Sequence, residues 1–379
     1  MTLFFCLWAV LSIKAEKLCV INIFKDKVSL SLKTSHDSLN PKDSSVPLTR
    51  RHLIATASFS ALALLTACTE SSTESTNQTD SGASRTVTDI EGNEVALPEN
   101  PQRIVTLSEP TLDAVLALGL TPVGAVAGRG QSGAPNYLGD KAAGIEIVGT
   151  VSELNYEAIG ALSPDLILAD GTSINNRPDV LEILRNIAPV VFCGYASGLW
   201  ETNFTHVAQA VGKTGEAETY LQDYTAYVEA TAQELSQKYS SATFSIVRWQ
   251  GSGPSLILKE LPAGQALESL GLQRPESQDR MGRGHSEPVS LENLANIDGD
   301  YMFLGTLGGA SQSDPSAEGS ADVQGAQEAL ARAEETSGFT DLKAYQDGHI
   351  MLVDGSLWTS TGGPLLMRGI IEDVKTHLL

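Results

Sequence analysis

Arg103-Ile-Val-Thr-Leu107-Ser108-Glu109-Pro110-Thr111-Leu112-Asp113-Ala114-Val115-Leu116-Ala117-Leu118-Gly119 runs from an apolar strand into a helix that glycine closes. Ile104 to Leu107 offers no polar face, so the strand needs cover on both sides. Pro110 suits the first helical turn and Gly119 the left-handed stop. Pro122 to Val126 then reads as a second strand and Ile145 to Val148 as a short third. Tyr156 to Leu162 predicts a helix, Asp165 to Ala169 a strand, Val180 to Ile187 a helix and Val190 to Phe192 another strand. Doubly apolar strands alternating with helices specify a parallel sheet with both faces covered.

Beyond this unit, Thr202 to Lys238 carries a helix-spaced apolar stripe: Val207, Ala210, Val211, Ala217, Tyr220, Leu221, Tyr224 and Val228. Gly212 and Gly215 interrupt it. The alternation then restarts, with strands at Phe244–Val247, Tyr301–Leu304 and His349–Val353. Helices are expected at Gly264–Leu270, Leu291–Ile297 and Pro364–Leu378, and a Gly/Ser-rich loop at Gly308–Gly325. The expected fold class is α/β: two Rossmann-like lobes joined by a long bridging helix, with the ligand cleft between them. The expected divisions are 85–201, 202–240 and 241–379.

The 379 residues carry a net charge of -21, and 42% are hydrophobic. That composition builds large cores, and so acidic a surface disfavours nucleic acid and anionic headgroups. Arg50-Arg51-His52 precedes the apolar Leu53 to Ala67, which ends in Leu65-Thr66-Ala67-Cys68. A basic head, a short apolar middle and small residues before a cleavage point describe an export signal. Leu-Thr-Ala-Cys resembles a bacterial lipobox, and Thr49-Arg50-Arg51 loosely resembles a twin-arginine signal. Residues 1–67 are therefore expected to be leader, with lipid on Cys68. Residues 68–84, rich in Ser and Thr, read as a flexible tether. The stretch 1–49 fits no fold pattern and suggests an unusual leader or a misplaced start. Cys193, ending an apolar run, is expected to be a buried small hydrophobe.

Four motifs in order carry a resemblance. They are Asn100-Pro-Gln-Arg-Ile-Val-Thr-Leu107; Val148-Gly-Thr150 with Leu154-Asn-Tyr-Glu157 and Leu162-Ser-Pro-Asp165; Ser286-Glu-Pro-Val-Ser-Leu-Glu292 with Ile297-Asp-Gly-Asp300; and Trp358-Thr-Ser-Thr-Gly-Gly-Pro364. From Thr86 to Leu379 the chain resembles the bacterial periplasmic-binding-protein family for ferric siderophores, haem and vitamin B12. The resemblance implies an exported substrate-binding lipoprotein that delivers an Fe(III)-siderophore to the permease of an ABC importer. It also implies two Rossmann-like lobes on one rigid helix, closing only slightly. Glu157 and Glu292, one per lobe, are implied to dock the permease. No catalytic role, no cofactor and no directly bound metal is expected, and the chain is expected to act as a monomer.

Ligands of open α/β sheets bind beyond the carboxyl ends of the strands. Those ends are Ser108-Glu109, Gly128-Arg129, Gly149-Thr150 and Asp170-Gly-Thr172 on the first lobe and Arg248-Trp249, Gly305-Thr306 and Trp358-Thr359 on the second, with the loop Arg280 to His285 expected to border the same cleft. Arg129, Arg248 and Arg283 with Tyr137, Trp249 and Trp358 are the ligand-binding candidates. Guanidinium forks suit chelate oxygens, and aromatic faces suit apolar arms. Haem, liganded by His285 with Tyr137 or Tyr195, is the alternative, with vitamin B12 behind it. An enzyme on the same fold lacks its signatures, since there is no GxSxG, no P-loop and no GxGxxG after the first strand. A structural surface lipoprotein would predict repeats, and none is present.

Overall fold

The structure is a computed structural model; it describes residues 84–379 apart from 175–176, 197, 252, 283 and 310–318. The leader, the Cys68 lipobox and Arg283 therefore lie outside the described residues.

The chain enters through an antiparallel hairpin, β1 (Ser84–Thr88) with β2 (Glu94–Pro98). Arg85 fastens it: the guanidinium donates to the carbonyls of Glu99, Gln209 and Ala210, two of which are free ends of a helix C-terminus. Next come β3 (Ile104–Thr106), β4 (Gly124–Ala127), β5 (Glu146–Thr150), β6 (Leu166–Ala169) and β7 (Val190–Phe192). They form one parallel sheet in the order β5-β4-β3-β6-β7. Every residue of β3, β4, β6 and β7 is buried, as unbroken apolar strands require. The helix after β3, Glu109–Ala117, is set by a Ser108–Thr111 capping box and Pro110. Strand order reverses between β3 and β6, which opens a crevice at their carboxyl ends.

The second sheet holds β8 (Phe244–Gln250), β9 (Gly253–Leu256), β10 (Glu287–Pro288), β11 (Tyr301–Gly305) and β12 (Ile350–Leu352) in the order β10-β9-β8-β11-β12. β8, β11 and β12 run parallel, while β9 and β10 are antiparallel at one edge.

The helical stripe expected at 202–238 is two helices, Trp200–Val211 and Thr214–Tyr239. Gly212 separates them at φ 74°, a left-handed conformation that costs glycine little. The second helix has 26 residues, so it is about 39 Å long. Val207, Ala210, Val211, Ala217, Tyr224 and Val228 are all buried, and Tyr220 and Leu221 pack half-buried against them. These side chains belong to one core that runs from Val115 and Phe204 beside the first sheet to Phe244 and Met367 beside the second. Burying each large apolar residue there contributes about 1.5–3 kcal/mol, so the lobes share their stability.

The hairpin, β9 and the helix Val323–Glu334 had no sequence expectation. The last begins inside the stretch read as loop, where Asp322 caps the backbone N–H of Gly325 at 2.9 Å. Its buried face is Ala326, Ala329 and Ala333, residues too small to give a strong apolar pattern. Among the described residues no helix is long and apolar enough to cross a membrane.

Candidate functional site

A pocket of about 1030 Å³ opens at the carboxyl ends of β4, β5 and β6. Gly128, Arg129, Thr150, Thr172 and Arg177 line it from the first lobe, and His285 reaches it from the second. Three of the four predicted strand-end stretches of the first lobe thus meet there. The fourth, Ser108-Glu109, lies beneath it at 0% and 1% exposure.

Glu109 organises this floor. Its carboxylate accepts from Arg129 Nη1 at 2.8 Å and from the Arg129 backbone N–H at 2.8 Å. It also accepts from Ser360 Oγ (3.0 Å) and Thr361 Oγ1 (2.8 Å), on the segment that leads into the last helix. One turn along, Asp113 accepts from the N–H groups of Leu365 and Leu366 (2.8 and 2.9 Å) and from the Tyr137 hydroxyl (2.8 Å). Those amides are free donors at the start of helix Pro364–Leu378, so Asp113 caps a helix of the opposite lobe. Burial raises the Asp113 pKa to about 6, against the hydrogen bonds, which lower it. Ser108 Oγ donates to Asp170 at 2.8 Å, and burial raises that carboxyl too.

The six residues predicted to bind ligand fare differently. Arg129 borders the pocket, but Glu109 and Thr361 occupy its guanidinium, and Nη2 lies 3.4 Å from His285 Nε2. Arg248 is half-buried on β8 and donates to the Thr359 carbonyl (3.2 Å) and to Ser286 Oγ. Loss of solvent and then the nearby Arg129 charge lower its pKa. Tyr137 is tied up between the lobes, with its backbone N–H on Ser356 Oγ and its hydroxyl on Asp113. Burial, then the Asp113 charge, push the phenol pKa well up.

The two tryptophans are corrections. Trp249 is 1% exposed, edge-on to Phe339 in the core on the far side of β8. Trp358 is 0% exposed, stacked on Phe303 at 4.1 Å, with its indole N–H donating to Asp373 at 2.9 Å. Neither offers a face to a ligand. The sequence places Trp249 one residue after Arg248, and alternation along the strand sends the two to opposite faces.

Glu157 is exposed at the pocket rim, on the helix Tyr156–Ala161 capped by Asn155. Glu292 is exposed on the 3₁₀ turn Leu291–Ile297. Cys193 is free and fully buried, and burial drives its thiol pKa well up. His285 keeps solvent contact, yet partial desolvation and then Arg129 lower its imidazole pKa to about 4, leaving it neutral at pH 7.

Two residues that shape the site, Asp113 and Arg177, had no expectation attached to them, and Glu109, although in a strand-end stretch, was not among the six ligand-binding candidates. Glu109 and Asp113 were visible as an i, i+4 acidic pair on an otherwise apolar helix, a spacing that puts both on one face. Arg177 precedes Pro178 in a loop and carried no signal.

Residues 104–357 match the family model described as periplasmic binding protein. The chain belongs to that family. A probable siderophore-binding lipoprotein of Bacillus subtilis is 30% identical over 84% of this chain and 95% of its own length. A Fe(3+)-citrate-binding protein of the same organism is 30% identical over 66% of this chain and 79% of that protein. Among solved structures, Staphylococcus aureus SirA complexed with staphyloferrin B superposes with a TM-score of 0.63 at 24% identity, covering 78% of this chain and 98% of that one. The iron-uptake system-binding protein FeuA of Bacillus subtilis superposes at 0.62 with 19% identity, covering 78% and 100%. At these identities the superpositions establish the shared two-lobed fold. For a periplasmic binding protein, a pocket at the strand ends with both lobes contributing is the arrangement that the sheet topology dictates.

Proposed function

We propose that this periplasmic binding protein captures a ferric siderophore and delivers it to the permease of an ABC importer. The observation that carries this reading is the pocket: about 1030 Å³, at the strand ends, with guanidinium groups of the first lobe in its wall. A volume of that order accommodates a bulky chelate. Arginine forks can hydrogen-bond the oxygens of an iron chelate and keep their charge when desolvated. The relatives named as siderophore- and Fe(3+)-citrate-binding proteins support it. Arg248, and Arg283 from its neighbouring loop, are proposed to close on the ligand from the second lobe. Glu157 and Glu292 are proposed to pair with basic residues of the permease, and Cys68 to carry the lipid that holds the protein at the outer face of the cytoplasmic membrane. The divisions 85–201, 202–240 and 241–379 are proposed to serve as lobe, bridge and lobe.

Isothermal titration of the protein from Cys68 onward with ferric citrate, a ferric hydroxamate, a ferric catecholate and haem tests the reading. Saturable one-to-one binding of at least one ferric siderophore is expected. Binding of haem alone, or of no iron compound, would overturn it.

A further inference from the structure

Arg129 and Arg177 line the pocket and Arg248 stands near it, bonded to Ser286 next to the pocket residue His285; one of the three already has its counter-charge. Arg129 is bound to the buried Glu109 at 2.8 Å, so its charge is neutralised within the protein. Arg177 and Arg248 are different. Among the described residues, neither has a carboxylate within 4 Å.

Arg177 lies in the pocket wall, half-buried, and each of its three guanidinium nitrogens meets one backbone carbonyl: Nη2 donates to Ser173 O at 2.6 Å, Nη1 to Ser152 O at 3.4 Å and Nε to Ile174 O at 3.4 Å, which leaves one N–H on each Nη. Carbonyl acceptors fix the orientation of a guanidinium without cancelling its charge. Arg248, on the other lobe, likewise rests on a carbonyl and a hydroxyl, and it feels the Arg129 charge nearby. A half-buried cation without an anion is an unfavourable arrangement that an anionic ligand relieves. The carboxylates that do line the pocket, Glu153 and Glu157, are exposed at the rim, where water screens them.

The apolar side of the lining is equally informative. Among the described residues that line the pocket, Tyr156 is the one phenyl-type ring. Trp249 and Trp358 are turned into the cores. Small hydroxyls and backbone take their place, at Thr150, Ser152, Thr172 and Ser173.

We infer, on the proposed siderophore reading, that the ligand is a carboxylate-bearing ferric chelate of the citrate type, and that Arg177 is a specificity-determining residue which receives a pendant carboxylate. The chemistry distinguishes the chelate classes. A ferric tris-catecholate carries comparable negative charge, but its donor oxygens all sit on iron and it presents aromatic rings that need apolar or aromatic cover. A ferric tris-hydroxamate is neutral and gives an unpaired guanidinium no counter-charge. A citrate-type chelate keeps carboxylate oxygens free, and a planar fork binds these in pairs.

The experiment is a calorimetric titration with ferric citrate, a neutral ferric tris-hydroxamate and a ferric tris-catecholate, on the native protein and on Arg177→Gln, Arg177→Lys and Arg248→Gln. Ferric citrate is expected to bind the native protein most tightly. Arg177→Gln should weaken it at least about tenfold, and Arg177→Lys should recover part of that loss, because charge returns without the fork. Unchanged melting temperature and circular dichroism establish that each variant folds, and Arg248→Gln provides an independent loss on the other lobe. Tighter binding of the catecholate or the hydroxamate would overturn this inference and leave the siderophore reading standing. Ferric citrate affinity within about twofold of native in folded Arg177→Gln would remove Arg177 from the role. Binding of none of the three would overturn the proposed function itself.

Discussion

Asp113 is one of the residues on which the two lobes meet, and its titration gives that contact a measurable signature. Its carboxylate is sealed from solvent and accepts from two helix-start amides and the Tyr137 hydroxyl, with Glu109 one turn away on the same helix. The folded pKa, about 6, stands above the ordinary value of 3.8. A raised folded pKa means that the native state holds the proton more tightly than the unfolded one. The associated stability is full below pH 3.8 and is lost as pH rises through 6. Asp113→Asn removes this dependence. The stability gap between native protein and variant, from denaturant unfolding, is expected to widen by about 2 kcal/mol from pH 7 to pH 4.5. A gap that narrows over that range would show that the carboxyl is ionised throughout. Trp358 offers a second residue-scale test. Trp358→Phe keeps a ring against Phe303 but loses the hydrogen bond to Asp373, so stability should fall by about 1–2 kcal/mol while ligand affinity holds. A large loss of affinity with the fold intact would return this indole to the binding site.

At the scale of elements, the break between helices Trp200–Val211 and Thr214–Tyr239 lets one helix pack on the first lobe while the next runs on as the bridge. Gly212 ends the first helix at φ 74°. A Cβ there would meet nothing nearer than 3.7 Å, so Gly212→Ala carries backbone strain without a clash. It should cost about 1 kcal/mol in chemical denaturation and leave the ligand site unaltered. Gly355 is the opposite case. It begins the one-turn helix Gly355–Trp358, and a Cβ on it would lie 1.7 Å from the Thr306 carbonyl. Strand and helix positions were legible because their apolar runs are long and uninterrupted, as at Leu166–Ala169 and Pro364–Leu378. The alanine-faced helix Val323–Glu334 was not, since small residues buried by close approach leave little periodic hydrophobic signal. The one-residue stop at Gly212, by contrast, was visible as a glycine within the stripe.

Across the whole molecule, a continuous core joins both sheets to the bridging helix, and the Glu109 and Asp113 contacts add a polar seam between the lobes. Glu157 and Glu292 stand outside this core on exposed turns, one in each lobe. If they orient the protein on its permease, Glu157→Ala with Glu292→Ala should leave ligand affinity within about twofold of native while uptake of the iron chelate by cells collapses. Normal uptake by the double variant would take them out of that role. The sequence by itself determined the two-lobed α/β class, the apolar stripe of the bridge and the order of the motifs, because periodicity and strand-end chemistry are local properties of the chain. Tertiary structure alone decided which of the candidate side chains face the pocket. The side of β8 that Trp249 occupies depends on the pleat of a sheet built from distant strands. The neutralisation of Arg129 depends on a glutamate 20 residues away, and Arg177 has no carboxylate within 4 Å among the described residues because of where the fold puts them.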